Sequence, residues 1–518
     1  MKKMRPALLV ASMMAAPTLL SGSGLAAPYV FQTVANTGDV MPASDRNFNS
    51  FNQPSINSDC LVAFRARSKG PQQPVRGLYK RKVCTSPGPI RKIVAVGDQV
   101  PQPNNTSAPF NEFPAFPRMQ ISGEWVASRG QSRPVWEYTL PDGSDTRVGT
   151  SGIYVEKSGG ALRTAESLLG AVPGFAQFSV PGAPPGTRFD QFPGAPSPTG
   201  GKFVVFKGNY TDNGVSKTGV FYRNVLDSAG ALPTQLIASS NTLIPGTSTV
   251  FGSTAPPSAS GSKMVFLGLD NEDKPTKGGI YLAPLSPTPK LRRLVAIGGP
   301  VPGVTGQRFN RLGEGLSFDG RFVGFWGAWG TAVRTITLEC ASGGNPDLIA
   351  SCTDQTVTVP KNQGIFVYDL QTGTTRQIAR TGGVKLDFLF WVFSGRPPGV
   401  GDSDDAEEPA RWRSSAFVAV TNKDGKPATA FKALLTSGVQ GIFVRPSPAA
   451  HVRTVLRTGA DARAIDPEAP AGSRVTALGV ERDGFRACRL AVNASALNPT
   501  TSESWAGIYV VRSGACTS

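Results

Sequence analysis

Histidine is nearly missing from this 518-residue chain, and His451 is the only one. A Ser-His-Asp triad, a Cys-His nucleophile pair and a histidine-bound metal each need an imidazole among their partners. One histidine leaves little room for any of them. The 6 cysteines contain no C-x-x-C pair, which argues against a structural zinc site. Charged residues make up only 17% of the chain, and the acidic sign is the scarcer: 53 Lys+Arg stand against 36 Asp+Glu, a net charge of +17. Past the N-terminal segment no run approaches the roughly 18 apolar residues that a membrane-spanning helix needs. The run of note, Phe388-Leu389-Phe390-Trp391-Val392-Phe393, has the length of a buried strand. No recognisable nucleic-acid-binding module is present and the arginines are scattered, so nucleic acid is not an expected partner. What abounds is glycine (59) and proline (44), with 40% apolar residues, the composition of a globular chain with many tight turns.

Residues 1–26 read as a secretory signal. Lys2, Lys3 and Arg5 open it, Ala7 to Leu20 is apolar, and Gly24-Leu25-Ala26 is a small-residue cleavage site. Removing it leaves 50 Lys+Arg against 36 Asp+Glu, a net charge near +14. The protein is therefore expected to be secreted or periplasmic and monomeric. Its charge favours an anionic partner such as an acidic polysaccharide or an envelope component.

Seven times a glycine is followed by an aliphatic residue and an aromatic ring: Gly77-Leu78-Tyr79, Gly152-Ile153-Tyr154, Gly219-Val220-Phe221, Gly279-Ile280-Tyr281, Gly364-Ile365-Phe366, Gly441-Ile442-Phe443 and Gly507-Ile508-Tyr509. The copies lie roughly 60 to 85 residues apart among strand-like runs and turns, the period of a propeller blade. Residues 27–518 are thus expected to form one all-β domain, a seven-bladed β-propeller of four-stranded antiparallel blades.

Before several copies stands a turn: Ser317-Phe318-Asp319-Gly320 ahead of Arg321 to Trp326, Ser197 to Gly200 ahead of Phe203 to Phe206, and Ser258 to Gly261 ahead of Met264 to Leu267. This S-x-D/S/T-G-x-x-[VI]-x-F pattern resembles the repeats of TolB-type propellers. The segment Asn57-Ser58-Asp59-Cys60-Leu61-Val62-Ala63-Phe64 resembles the Asn-x-x-Gly-x-x-Ala-Phe tandem repeat of secreted bacterial proteins, with Cys60 in place of the glycine. The resemblance implies architecture and export and no settled activity.

Lettering the strands A to D from the axis outward, the D strands are expected at Ile90–Val96, Leu162–Leu169, Gln235–Ala238, Leu291–Ile297, Thr375–Arg380 and Val452–Arg457. The last blade stops after its C strand. The missing strand stands at the other end, where Tyr29 to Ala35 leads into Gly38-Asp39-Val40-Met41-Pro42, a copy of Ile93 to Pro101. The N-terminal strand should therefore complete the seventh blade and close the ring. In this register Cys60 and Cys84 flank neighbouring B and C strands, as do Cys488 and Cys516, while Cys340 and Cys352 flank one insertion. Disulfides Cys60–Cys84, Cys340–Cys352 and Cys488–Cys516 follow, as suits an oxidising compartment.

The propeller resemblance further implies that B–C and D–A loops share one face. The long insertions are B–C: Arg129 to Ser151, Gly208 to Thr218, Gly327 to Gln363 and Asn493 to Ala506. They hold Arg129, Arg133, Trp136, Tyr138, Tyr210, Trp329, Arg334 and Trp505, rings beside arginines that would suit an acidic sugar chain. Packing within their own loops is the competing role for these rings. Phe48-Asn49, Phe110-Asn111, Phe189-Asp190 and Phe309-Asn310 recur where A strands begin, with Arg188, Arg308 and Arg46 nearby. They form either an Asx and arginine ring at the channel mouth or, the preferred reading, a packed phenylalanine with a turn-capping Asx.

For an enzyme the candidates are Asp190 and Glu314 as a carboxylate pair, or Tyr210 in a lyase acting on uronic acids. Asp402 to Glu408 begins like a calcium loop, but lacks the glycine at its sixth position and the distant glutamate. It reads as a solvated A–B loop, with calcium as the alternative and no other cofactor expected. The leading function is a binding module for an anionic ligand or a protein partner. A polysaccharide-degrading lyase or glycoside hydrolase is the alternative.

Overall fold

Every Gly-aliphatic-aromatic triplet lies in the third strand of an antiparallel sheet, and steric crowding accounts for its glycine. A Cβ on Gly219 would stand 2.6 Å from the Phe221 ring and 3.0 Å from the Ala238 carbonyl of the D strand. On Gly364 it would stand 2.9 Å from Phe366 and 3.0 Å from the Ala379 carbonyl. The glycine lets the ring two residues on fold back over the strand. There the ring meets two others. In blade 4, Phe251 of the A side stands edge-on to Tyr281 at 5.4 Å and 86°, while Phe266 of the B strand stacks on it at 5.7 Å and 29°. The same trio recurs as Phe48/Phe64/Tyr79, Phe189/Phe206/Phe221, Phe309/Phe325/Phe366 and Phe388/Phe431/Phe443. Each such ring pair adds about 0.5–1.5 kcal/mol beyond its burial.

The computed structural model describes residues 29–513 and Cys516, apart from 69–73, 85, 103, 105–106, 134–137, 141, 147–150, 226–231, 339–354, 384–387 and 391–417. The chain is a seven-bladed propeller, and no α-helix occurs among the described residues. Blade 1 shows the plan. Its A strand is broken into Phe48–Phe51 and Ser55–Ile56, both paired with B (Leu61–Ser68), followed by C (Arg76–Lys82) and D (Arg91–Ala95). The other D strands are Arg163–Ser167, Gln235–Ser239, Arg292–Ala296, Thr374–Arg380 and Arg453–Arg457, within two residues of expectation at every end. The seventh is Val30–Asn36. It pairs antiparallel with Ser504–Ser513 through Phe31↔Val511 to Asn36↔Gly507, which closes the ring.

Two of the expected disulfides are present, Cys60–Cys84 and Cys488–Cys516, with Cα atoms 5.5 and 5.4 Å apart. Cys340 and Cys352 lie outside the described residues. Cys60 and Cys488 both have φ of 62°, the left-handed conformation that Gly261 (60°) and Gly425 (78°) adopt at the corresponding A–B turns. Cystine formation thus holds a turn that glycine makes elsewhere. Both bridges fit an oxidising, extracytoplasmic setting.

The B–C insertions differ from expectation. In blades 3, 5 and 7 their described residues are largely extensions of the sheets themselves. In blade 3, Phe203–Asp212 and Val215–Asn224 pair without interruption to a two-residue turn at Asn213-Gly214, whose φ values of 50° and 75° suit a tight hairpin. In blade 5, Phe322–Leu338 pairs with Gln355–Asp369 as a long arm with one irregularity between Trp329 and Val333.

Polar groups bind blade to blade. Lys80 of blade 1 places its Nζ 2.8 Å from both carboxylate oxygens of Glu156 in blade 2. Between blades 2 and 3, Glu166 is fully buried. It accepts from the Ser167 backbone and the Thr234 hydroxyl, and Arg223 stands beside it. Burial pushes its carboxyl up to about 8 despite Arg223. The folded chain thus keeps a proton that the unfolded chain releases above about 4.5. The contribution of Glu166 is fully present below pH 4.5, declines as pH rises and is lost beyond about 8. Glu166→Gln should therefore raise Tm at pH 9, worth on the order of a few kcal/mol at most, and the gain should fade towards pH 5. Thermal unfolding at both pH values checks this; a gain independent of pH would contradict it.

Candidate functional site

The A strands define the axis. Their second halves, Ser55–Ile56, Arg118–Met119, Ser197–Thr199, Ser258–Ser260, Ser317–Phe318, Val418–Lys423 and Phe485–Arg486, each touch the next around a closed circuit. The first halves show no comparable packing on one another. The channel therefore narrows towards the A–B turns and widens towards the face of the D–A and B–C connections.

Its narrow end is sealed by charge. Arg118 is 0% exposed and donates to Asp483 Oδ2 at 2.5 Å, the Pro257 carbonyl at 2.7 Å and Ser258 Oγ at 2.9 Å. Arg486 donates to Asp483 Oδ1 at 2.7 Å and to the carbonyls of Val420 and Phe318. Arg482 holds the adjacent Glu481 at 3.1 Å, and the Arg482 carbonyl accepts from Ser317 Oγ. These contacts join blades 2, 4, 5, 6 and 7. Burial alone would raise the Asp483 carboxyl, but Arg118 and Arg486 hold it below the ordinary aspartate value. Burial raises the Glu481 carboxyl against the pull of Arg482 and Arg118, and the neighbouring Asp483 charge adds to the rise. The plug comes from Glu481-Arg482-Asp483, in the bend between the two halves of the blade 7 A strand, Arg474–Gly479 and Phe485–Arg486.

The recurrent Phe-Asx pairs resolve into packing plus a bulge. Phe48, Phe110, Phe189 and Phe309 are buried. Pairing jumps from Phe48↔Ser68 to Ser50↔Arg67, and likewise over Asn111, Asp190 and Asn310, so each Asx is the extra residue of a β-bulge. Asn111, Asp190 and Asn310 are exposed. Asp190 accepts from Thr211 Oγ1 at 2.9 Å, and Asn310 donates to the Gly330 carbonyl at 2.5 Å.

The loop candidates divide by register. Tyr210 and Trp329 pair opposite Phe189 and Phe309 at one equivalent position, and both are buried in inter-blade cores. They pack there instead of offering platforms on the face. Trp505 is half-buried and donates to Asp466 Oδ2 at 3.0 Å, an oxygen that also accepts from Tyr509 and Asn36. It thereby supports the closure of the ring. Arg308 is exposed, with Nη1 on the Gly298 carbonyl at 2.7 Å; Arg188 and Arg334 are half-buried. Glu314 is half-buried near the buried Arg482, whose pKa it helps to raise against burial. The backbone of Tyr138 opens a small hairpin with Asp145–Thr146. Trp136 and the acidic stretch from Asp402 to Glu408 lie outside the described residues. No group of three or more metal-ligating side chains occurs among the described residues, and no helix among them is long and apolar enough to cross a membrane.

One set at the mouth was named from the sequence only at Arg129. Arg65, Arg129, Lys207 and Lys432 each pair across from the aliphatic residue of a C-strand triplet, at Leu78, Ile153, Val220 and Ile442, and all are half-buried. Arg65 binds Glu112 of the next blade at 2.7 Å, and Arg76 binds its other oxygen at 3.0 Å. Burial pulls the Lys432 ammonium down to about 8. Their signal was a cation directly after the B-strand phenylalanine, as in Phe64-Arg65, Phe206-Lys207 and Phe431-Lys432.

This strand pairing defines the class: a seven-bladed propeller of four-stranded blades with a sealed axis. No family model matches the chain, and no curated protein matches its sequence. Among solved structures it is similar to the β-propeller domain of the Trilobed protease from Pyrococcus furiosus, at 8% identity and a TM-score of 0.43 over 90% of this chain and 97% of that one. TolB from Acinetobacter baumannii follows at 13% and 0.28, over 78% of this chain and 65% of that one. A polysaccharide lyase stands at 10% and 0.40, over 93% and 97%. At such scores none of these carries a functional argument.

Proposed function

We propose that the protein is an exported binding module for an anionic ligand, an acidic polysaccharide or envelope component, and that it does not turn that ligand over. The carrying observation is the use of charge at the mouth. Glu112 is held by Arg65 and Arg76, Glu314 faces Arg482, and Asp190 takes the Thr211 hydroxyl, while Arg308 and Arg311 remain exposed. A glycoside hydrolase needs two carboxylates aimed across one bond; here the carboxylates have other partners. Export rests on the N-terminal signal pattern and the two disulfides, and membership of the Asn-x-x-Gly-x-x-Ala-Phe repeat proteins on the Asn57 to Phe64 segment. A glycan array read at low and high salt tests the proposal. Uronic-acid or sulfated chains should bind and be released by salt, because screening weakens exposed charge pairs. Selective capture of neutral glycans would refute it.

A further inference from the structure

The outer strands carry a second pattern. The seven D strands total 39 residues, with nine Lys or Arg against one acid, the buried Glu166. They supply a net +8 of the chain's +17. The cations also share a register. Opposite the C-strand residue that follows each triplet stand Arg91 (at Lys80), Arg163 (at Val155), Arg292 (at Leu282), Arg376 (at Val367) and Arg453 (at Val444). Blades 3 and 7 place Gln235 and Gln32 there. Arg91, Arg163, Arg292 and Arg376 are exposed, and none is ion-paired among the described residues. Lys92 and Arg293 follow two of them but stand outside the line, Lys92 paired with Asp98 at 2.9 Å and Arg293 beside Tyr281.

Edge strands often carry charge to discourage pairing with other sheets. That need is met here in another way: every D strand bulges beside this position, between the aliphatic and aromatic partners of its C strand. A bulge twists the edge out of pairing geometry. Charge of either sign would serve against aggregation, whereas these cations are of one sign at one height.

We infer that this arginine belt on the outer wall, towards the C–D turns and away from the mouth, is the main docking surface for an extended acidic polysaccharide. The inference rests on the anionic-ligand reading above and locates it. Guanidinium forks match carboxylates and sulfates two bonds at a time. A chain bearing one acid group per sugar can follow the curved wall across blades 4, 5 and 6. A flat bilayer meets such a wall along a single line. Duplex DNA, with a persistence length of about 50 nm, is too stiff to wrap it.

The test compares wild type, a wall variant (Arg91→Gln, Arg163→Gln, Arg292→Gln, Arg376→Gln) and a mouth variant (Arg308→Gln, Arg311→Gln) for binding to heparin and to polygalacturonate. Glutamine already occupies this register in two blades, so the wall variant should keep the wild-type Tm. Its affinity at about 50 mM salt should fall by roughly tenfold or more, with the difference shrinking near 500 mM. The mouth variant should lose much less. Unchanged binding by the wall variant overturns the belt while leaving the anionic-ligand reading intact; absence of wild-type binding removes both. Tighter binding to duplex DNA, or to vesicles of phosphatidylglycerol and phosphatidylcholine in equal parts, than to either polysaccharide overturns the choice of ligand.

Discussion

Asp483→Ala should destabilise the protein by about 3–5 kcal/mol, the cost of leaving buried charge without its partner. Asp483 is 3% exposed and receives Arg118 on one oxygen and Arg486 on the other. Removing it takes the directly bonded carboxylate from two guanidiniums at the axis, whose remaining hydrogen-bond acceptors are carbonyls and Ser258 Oγ. Arg118→Ala should cost less, because Asp483 keeps Arg486. The pH dependence has a definite sign. With its folded pKa held below 3.8, Asp483 contributes fully above that value, and its contribution is lost as pH falls through the folded pKa. Chemical denaturation of wild type and both variants at pH 7 and pH 3 measures this. A loss under 1 kcal/mol for Asp483→Ala at pH 7, roughly the ceiling for an exposed ion pair, would mean that the plug is solvated and does not bind the blades together.

A chain beginning at Thr37 should lose cooperative unfolding near the wild-type Tm and tend to aggregate. The strand Val30–Asn36 is the outer strand of blade 7, and Val34 and Ala35 are fully buried in the core shared with blade 1. Asn36 donates to both Asp466 and Glu468, the former also the acceptor for Trp505 and Tyr509. Deletion exposes the Ser504–Ser513 edge and opens the joint between the last and first blades. A synthetic peptide of residues 29–36 should restore stability by adding back the strand. A truncated chain that melts like wild type, with no response to peptide, would show that closure lies elsewhere.

The blades were readable because their repeat has a local steric cause. The triplet glycine is demanded by its own ring two residues on, so it persists in every C strand wherever that ring does. Closure and two disulfides followed from the same register. Faces were harder. Tyr210 and Trp329 stand four residues after Phe206 and Phe325 in unbroken B-strand pairing, so alternation turns them to the same core face although their neighbours suggest loop rings. The B–C insertions looked like loops because Gly, Thr and Asn punctuate them, yet pairing to a partner strand overrides that composition. The axial plug assembles Arg118 and Asp483 from blades 365 residues apart, which no repeat pattern announces. Only the run of charges Glu481-Arg482-Asp483 shortly before the last B strand hinted at it.

The central claim, binding of an acidic polysaccharide without turnover, is tested most directly by recovering the bound chain. The best uronic-acid ligand from the array is held with the purified protein for hours, eluted with salt and sized. The account predicts an unchanged length distribution and no new unsaturated or reducing ends. Shortened chains with such ends, lost on changing Asp190 or Glu314, would contradict it.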